Sequence, residues 1–311
     1  VYKRFFKQVA PLLISLVIMG SLSLMVKKFE REAPRPFDRL IVEALPDLPD
    51  LAGAHPKLIE RFSYAHAGLQ IGAEQLDSLQ ELAFLFHANG FSGQAESCYL
   101  GLESYETDNP LWPYLLGILK LDRTDQAEVA EHFSRSIQLD SSNSMAYLYL
   151  GDAYLEGGLL DEAEISFHYR LEGEPEDPWA LAALGEIEVR RMDLPAARDW
   201  LEKAVLTEPT PALAYDLLPD VYSELGEFEK AREARLEAES RDLVQVPFDP
   251  RLAFLIGYCY DRERLLAFAR NARDSGEFQS SIDALERLVD LELADDELLA
   301  ELAELTRRLK D

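Results

Sequence analysis

Catalysis needs groups that converge, and the residues of this chain able to do chemistry are scattered. The five histidines, His55, His66, His87, His132 and His168, contain no His-x-x-x-His pair of a helical metal site and no loop spacing of a zinc centre. They read as surface or groove side chains. Cys98 and Cys259 are too few for a metal knuckle and too widely separated for a redox pair. No glycine-rich phosphate loop and no nucleophile elbow occurs. Carboxylates abound, 58 acids against 31 bases for a net charge of −27, so adjacent acids arise by chance and do not mark an acid–base pair. No catalytic residue, metal ligand or cofactor is assigned, and an enzyme is not the expected class.

The charge is unevenly spread. Residues 1–28 hold five bases, Lys3, Arg4, Lys7, Lys27 and Lys28, and no acid, so the remainder is more acidic than the whole. Such a body repels nucleic acid and anionic lipid headgroups. Between the basic flanks, residues 8–26 carry no charge, and as a helix at ~1.5 Å per residue they reach roughly 29 Å, the depth of a hydrocarbon core. The run exceeds a usual signal-peptide core and no small-x-small cleavage site follows it, so the expectation is a retained single-pass anchor. Arg31 and Arg35 add to the positive charge after the span, and the flanks nearly balance. The short N-terminal tail is expected inside and the acidic body outside the cytoplasm, in the periplasm if the cell is Gram-negative. Pro34, Pro36, Pro46, Pro49 and Pro56 then make residues 29–56 a semi-extended linker.

From Lys57 onward helical periodicity replaces everything else, and the body reads as all-α. A skeleton set by Tyr147, Leu150, Gly151, Tyr154, Gly158, Ala163, Phe167 and Pro175 recurs at 34 residues: Leu181, Leu184, Gly185, Ala197, Leu201 and Pro209 follow it. Pro113, Leu116, Gly117 and Phe133 precede it. Five units run without insertion from Leu76 to Gln245, a solenoid signature. Pro219, Val129, Lys120 and Glu188 depart from the skeleton at single positions. The frame slips at 246–261, a stretch crowded with Phe248, Leu252, Phe254, Leu255, Ile256, Tyr258 and Tyr260, then resumes in a weaker sixth unit from 262. Leu298, Leu302, Leu305 and Leu309 stripe one face of a C-terminal capping helix, and residues 57–70 supply a leading helix. The apolar insertion must be covered, either as an extra helix against the array or as a docking surface for another subunit.

This skeleton of large residue, Leu-Gly, Tyr, Ala, Phe and Pro at 34 residues resembles the tetratricopeptide repeat family. The resemblance implies a superhelical solenoid of about six helix-turn-helix units with capping helices, here preceded by one N-terminal transmembrane helix. It also implies that the first helices of successive hairpins line a partner-binding groove. At those positions stand Phe84, His87, Tyr114, Ile118, Leu121, Met145 and Leu148, an apolar stretch with one histidine. Asp152, Glu156, Trp179, Glu186, Arg190, Asp216 and Asp220 follow, a mainly acidic stretch continued by Glu224. Apolar anchors beside one-signed charge suit a protein segment with hydrophobic and Lys/Arg residues. The competing reading of each apolar residue is packing against the next hairpin. Two functions are expected from this pattern: a membrane-tethered interaction scaffold, or a permanent subunit or assembly factor of a multi-subunit membrane complex.

Overall fold

The structure is a computed structural model, and it describes residues 45, 48–69, 75–121, 125–240, 243–244 and 246–309. Contacts divide the chain after Leu40, and everything described lies in the second unit, Ile41–Asp311. The expected anchor at 8–26, its basic flanks and most of the linker lie outside the described residues. Among the described residues no helix is long and apolar enough to cross a membrane.

The described residues form fourteen α-helices and one 3-10 helix, joined by short turns. A leading helix α1 (Pro56–Gly68) precedes five antiparallel hairpins. These are α2/α3 (Gln75–Ala88, Ser92–Tyr105), α4/α5 (Leu111–Lys120, Gln126–Leu139) and α6/α7 (Ser144–Glu156, Leu160–Gly173), then α8/α9 (Pro178–Arg190, Leu194–Ala204) and α10/α11 (Ala212–Glu224, Phe228–Ser240). A 3-10 helix η1 (Pro250–Tyr258), a sixth hairpin α12/α13 (Arg262–Asp274, Phe278–Asp290) and α14 (Asp296–Arg308) complete the order.

Local chemistry explains where these helices begin. Asp125, Asn143, Asp177 and Asp193 stand at N-caps and accept from the backbone N–H three residues on, satisfying donors that a helix start leaves free. Packing then selects the small residues. A Cβ placed on Gly151 would lie 2.5 Å from the Phe167 ring, and Gly117 meets Phe133 in the same way, so the two helices of a hairpin touch only without a side chain there. In the first five hairpins the two helices pack on each other, and the second helix of each packs on the first helix of the next, which is stacking of neighbour on neighbour. Pro219 lies buried inside α10, which runs on through it.

The stack stops at the fifth hairpin. After α11 the chain turns back past the start of α10, where Val244 pairs with Pro211 in an isolated parallel bridge, Ala212 N–H donating to Val244 O at 2.9 Å. The sequence frame does resume in α12 and α13, but this hairpin does not extend the array. Neither α10 nor α11 packs on it substantially; η1 packs on α13 and on α2, at the opposite end. Asn89, just after α2, donates to Tyr258 O and accepts from Tyr260 N–H, both at 2.9 Å. Lys57 donates to Asp290 O at 3.2 Å, so the sixth hairpin also reaches α1. Of the expected capping stripe, Leu298 and Leu305 are buried, whereas Leu309 is half exposed.

Candidate functional site

The inner row expected from the 34-residue period falls on α2, α4, α6, α8 and α10, and its apolar part is covered by the chain itself. Phe84 is 4% exposed, with the Phe254 ring 4.8 Å and the Tyr258 ring 5.1 Å away, both edge-on. The Arg61 guanidinium of α1 lies 4.4 Å over the same Tyr258 ring and donates to Gly257 O at 2.8 Å. Tyr114, 1% exposed, donates its hydroxyl to Asp249 Oδ2 at 2.5 Å, and the Tyr149 hydroxyl reaches that oxygen at 3.4 Å. Burial holds the Asp249 carboxyl above its ordinary range, although the two phenols that hydrogen-bond to it pull the other way. Met145 and Leu148 are buried as well, while Ile118 and Leu121 are half-buried.

The segment 246–261 is thus the extra element against the array, in 3-10 rather than α form, and it occupies the place read from sequence as the apolar anchor zone. Asp249, Phe254 and Tyr258 are the residues that make this contact. The crowding of Phe254 and Tyr258 was visible in the sequence, but what they face was not, and Asp249 was not singled out there.

His87 sits beside this cover, its Nδ1 2.9 Å from the Tyr99 hydroxyl. Burial first and then the Arg264 charge lower its pKa to about 4, so the ring is neutral at pH 7. Cys98 and Cys259 are both free and buried; burial pushes the Cys98 thiol up to about 12, far from a nucleophilic thiolate. Among the described residues no cluster of three or more His, Cys, Asp or Glu is arranged to hold a metal ion.

The acidic part of the row divides in two. On α6 and α8, Arg190 donates to Glu186 Oε1 at 2.5 Å and to Leu155 O at 2.7 Å, and lies 3.5 Å from Glu156, so it ties the two helices and offsets two of the acids. Asp152 stays without a hydrogen-bond partner among the described residues. Its burial, and then the charges of Glu186, Glu156 and Asp177, raise its carboxyl to about 7. On α10, Asp216, Asp220 and Glu224 are all exposed, and among the described residues only Asp220 has a cation nearby, Arg235 at 3.1 Å.

Trp179, at the start of α8, is half-buried. It lines a cleft of about 710 Å³ with Met145, Arg170, Pro175, Glu176, Asp177, Glu208, Phe248, Ser275 and Glu277. The floor comes from the N-terminal ends of α6 and α8, and one wall from the turn between α12 and α13. That wall exists only because the sixth hairpin is folded back.

Residues 114–172, from α4 to the end of α7, match a family model described as tetratricopeptide repeat. No curated protein matches the chain. Among solved structures, the fold is similar to a tetratricopeptide repeat protein from Parabacteroides merdae at 15% identity and a TM-score of 0.51, covering 83% of this chain and 95% of that one. MamA from Desulfovibrio magneticus aligns at 17% identity and a TM-score of 0.49, over 53% of this chain and 93% of that one. The chain is an all-α helical-repeat protein, and within it residues 114–172 carry the tetratricopeptide repeat pattern.

Proposed function

We propose that this chain is a membrane-tethered scaffold that binds other proteins through the part of its inner row left open by its own C-terminal hairpin. The tether is residues 8–26, with the basic tail inside and the repeat body outside the cytoplasm. The observation that supports it is the exposed, one-signed row Asp216, Asp220 and Glu224 on a helix of an array whose apolar inner face is already filled. Such a row attracts segments bearing Lys or Arg, and charge of this kind mainly speeds encounter and selects partners. Phe84 and Tyr114 reach a partner only when η1 and its cap Asp249 leave.

The test is gentle detergent extraction, sizing and mass spectrometry of the chains that travel with the wild type and with the variant Asp216→Lys, Asp220→Lys, Glu224→Lys. Reduced recovery and slower association at low salt are expected for the variant; identical recovery removes α10 from the site. A second reading, a permanent subunit or assembly factor, is favoured by Met192, Leu206 and Phe228, large apolar side chains of the fourth and fifth hairpins that are 78%, 84% and 69% exposed. A complex of fixed stoichiometry, unaffected by the charge reversal, would establish that one instead.

A further inference from the structure

We infer that the cleft beside Trp179 takes the cationic side chain of an arginine- or lysine-bearing partner segment, seated against the indole and between carboxylates. This rests on the scaffold reading and adds a specific anchor to it. Three independent observations meet at the cleft.

The first is the indole itself. The chain has three tryptophans, and two are fully engaged. Trp112 donates to Glu106 at 2.8 Å and stacks on Tyr99, and Trp200 carries the Lys203 ammonium 4.2 Å above its ring. Trp179 has no hydrogen-bond, ring or cation partner among the described residues, yet it is half-buried in a cavity wall. An indole face left open in a partly desolvated site is where a cation gains most from the ring quadrupole.

The second is charge. The carboxylates of Glu176 and Glu277 line the cleft with no ion pair or hydrogen bond from any described residue. The one base in the lining, Arg170, is spent inside the protein: it donates to Asp177 at 2.6 Å, to Ser144 at 2.7 Å and to Glu174 at 3.1 Å. The cleft therefore repels anions and leaves carboxylates for an incoming cation. An arginine suits it best, because a planar guanidinium can stack on the indole while its edge donates to a carboxylate.

The third is size and wall chemistry. A cleft of about 710 Å³ exceeds one side chain, and the edges of the largely buried Met145 and Phe248 make part of its wall apolar beside the cation. Pro175, Pro178 and Pro247 in the lining lack N–H groups, so recognition falls to side chains rather than to strand pairing.

The experiment uses the full chain in detergent micelles with 5-fluorotryptophan, whose three fluorine signals are assigned with Trp179→Phe. The probe is the peptide Ac-Gly-Leu-Arg-Leu-Gly-NH2, compared with its citrulline counterpart, which keeps the shape and loses the charge. The Trp179 signal should move saturably with the arginine peptide while the other two stay. Citrulline should need about tenfold more peptide, and Glu176→Gln with Glu277→Gln should bring arginine to the citrulline level. Both glutamates are exposed, so these variants keep the fold. A Trp179 signal that neither peptide moves, or that both move alike, overturns the inference. The α10 variant with three lysines should still show the arginine-dependent shift, which separates failure of the cleft from failure of the open row.

Discussion

Asp152 shows how one side chain reports its surroundings. Its folded pKa of about 7 stands above the ordinary 3.8, so the folded state binds this proton more tightly than the unfolded chain does. Stability tied to the group is present below pH 4 and is lost as pH rises toward 7. The groups facing it are Glu156, Glu186 and Asp177, with Arg190 shared between the first two. Asp152→Asn should therefore match wild type near pH 4 and exceed it at pH 8, by on the order of 2 kcal/mol in urea unfolding. Equal stability at both pH values would contradict that environment. A second single-residue test concerns Met192, which takes φ 63° at the hairpin turn where Gly158 takes φ 76°. Met192→Gly should raise stability by about 1 kcal/mol, because a side chain in left-handed backbone is strained and this one, largely exposed, has little packing to lose. Gly151→Ala should do the reverse, costing about 2 kcal/mol as its methyl meets Phe167.

At the level of elements, the 34-residue period placed five hairpins because stacking is local. Gly117 and Gly151 face Phe133 and Phe167 within one hairpin, and the same spacing repeats that contact. The row Asp216, Asp220 and Glu224 was legible for the same reason. The position of the sixth hairpin was not, since Leu265, Ala269, Ile282 and Leu285 make the same intra-hairpin packing whether the unit extends the stack or turns back. What decides is tertiary: Phe254 and Tyr258 against Phe84, and Asp249 beneath two phenols. Removing the two rings, Phe254→Ala with Tyr258→Ala, should loosen η1 without melting α4–α9. Hydrogen exchange should rise in η1 and α12, an apolar dye should bind the uncovered Phe84 face, and total helix signal should fall by little. Unchanged exchange in η1 would mean that other contacts hold it.

For the whole chain, the inner face divides in two. Its apolar half is part of the protein's own core, while the carboxylates of α10 stay exposed and the Trp179 cleft stays open. The fold-back also changes how the molecule comes into being. A simple repeat array matures one unit after another, each needing only its neighbour. Here Lys57 waits for Asp290, Asn89 for Tyr258, and Tyr114 for Asp249, so the earliest hairpins emerge from the ribosome long before their last contacts exist. Until Phe254 and Tyr258 have been made and have folded back, Phe84 stays uncovered. Termination before η1 is made leaves that apolar face open, so it is more damaging here than in an array built only from adjacent repeats.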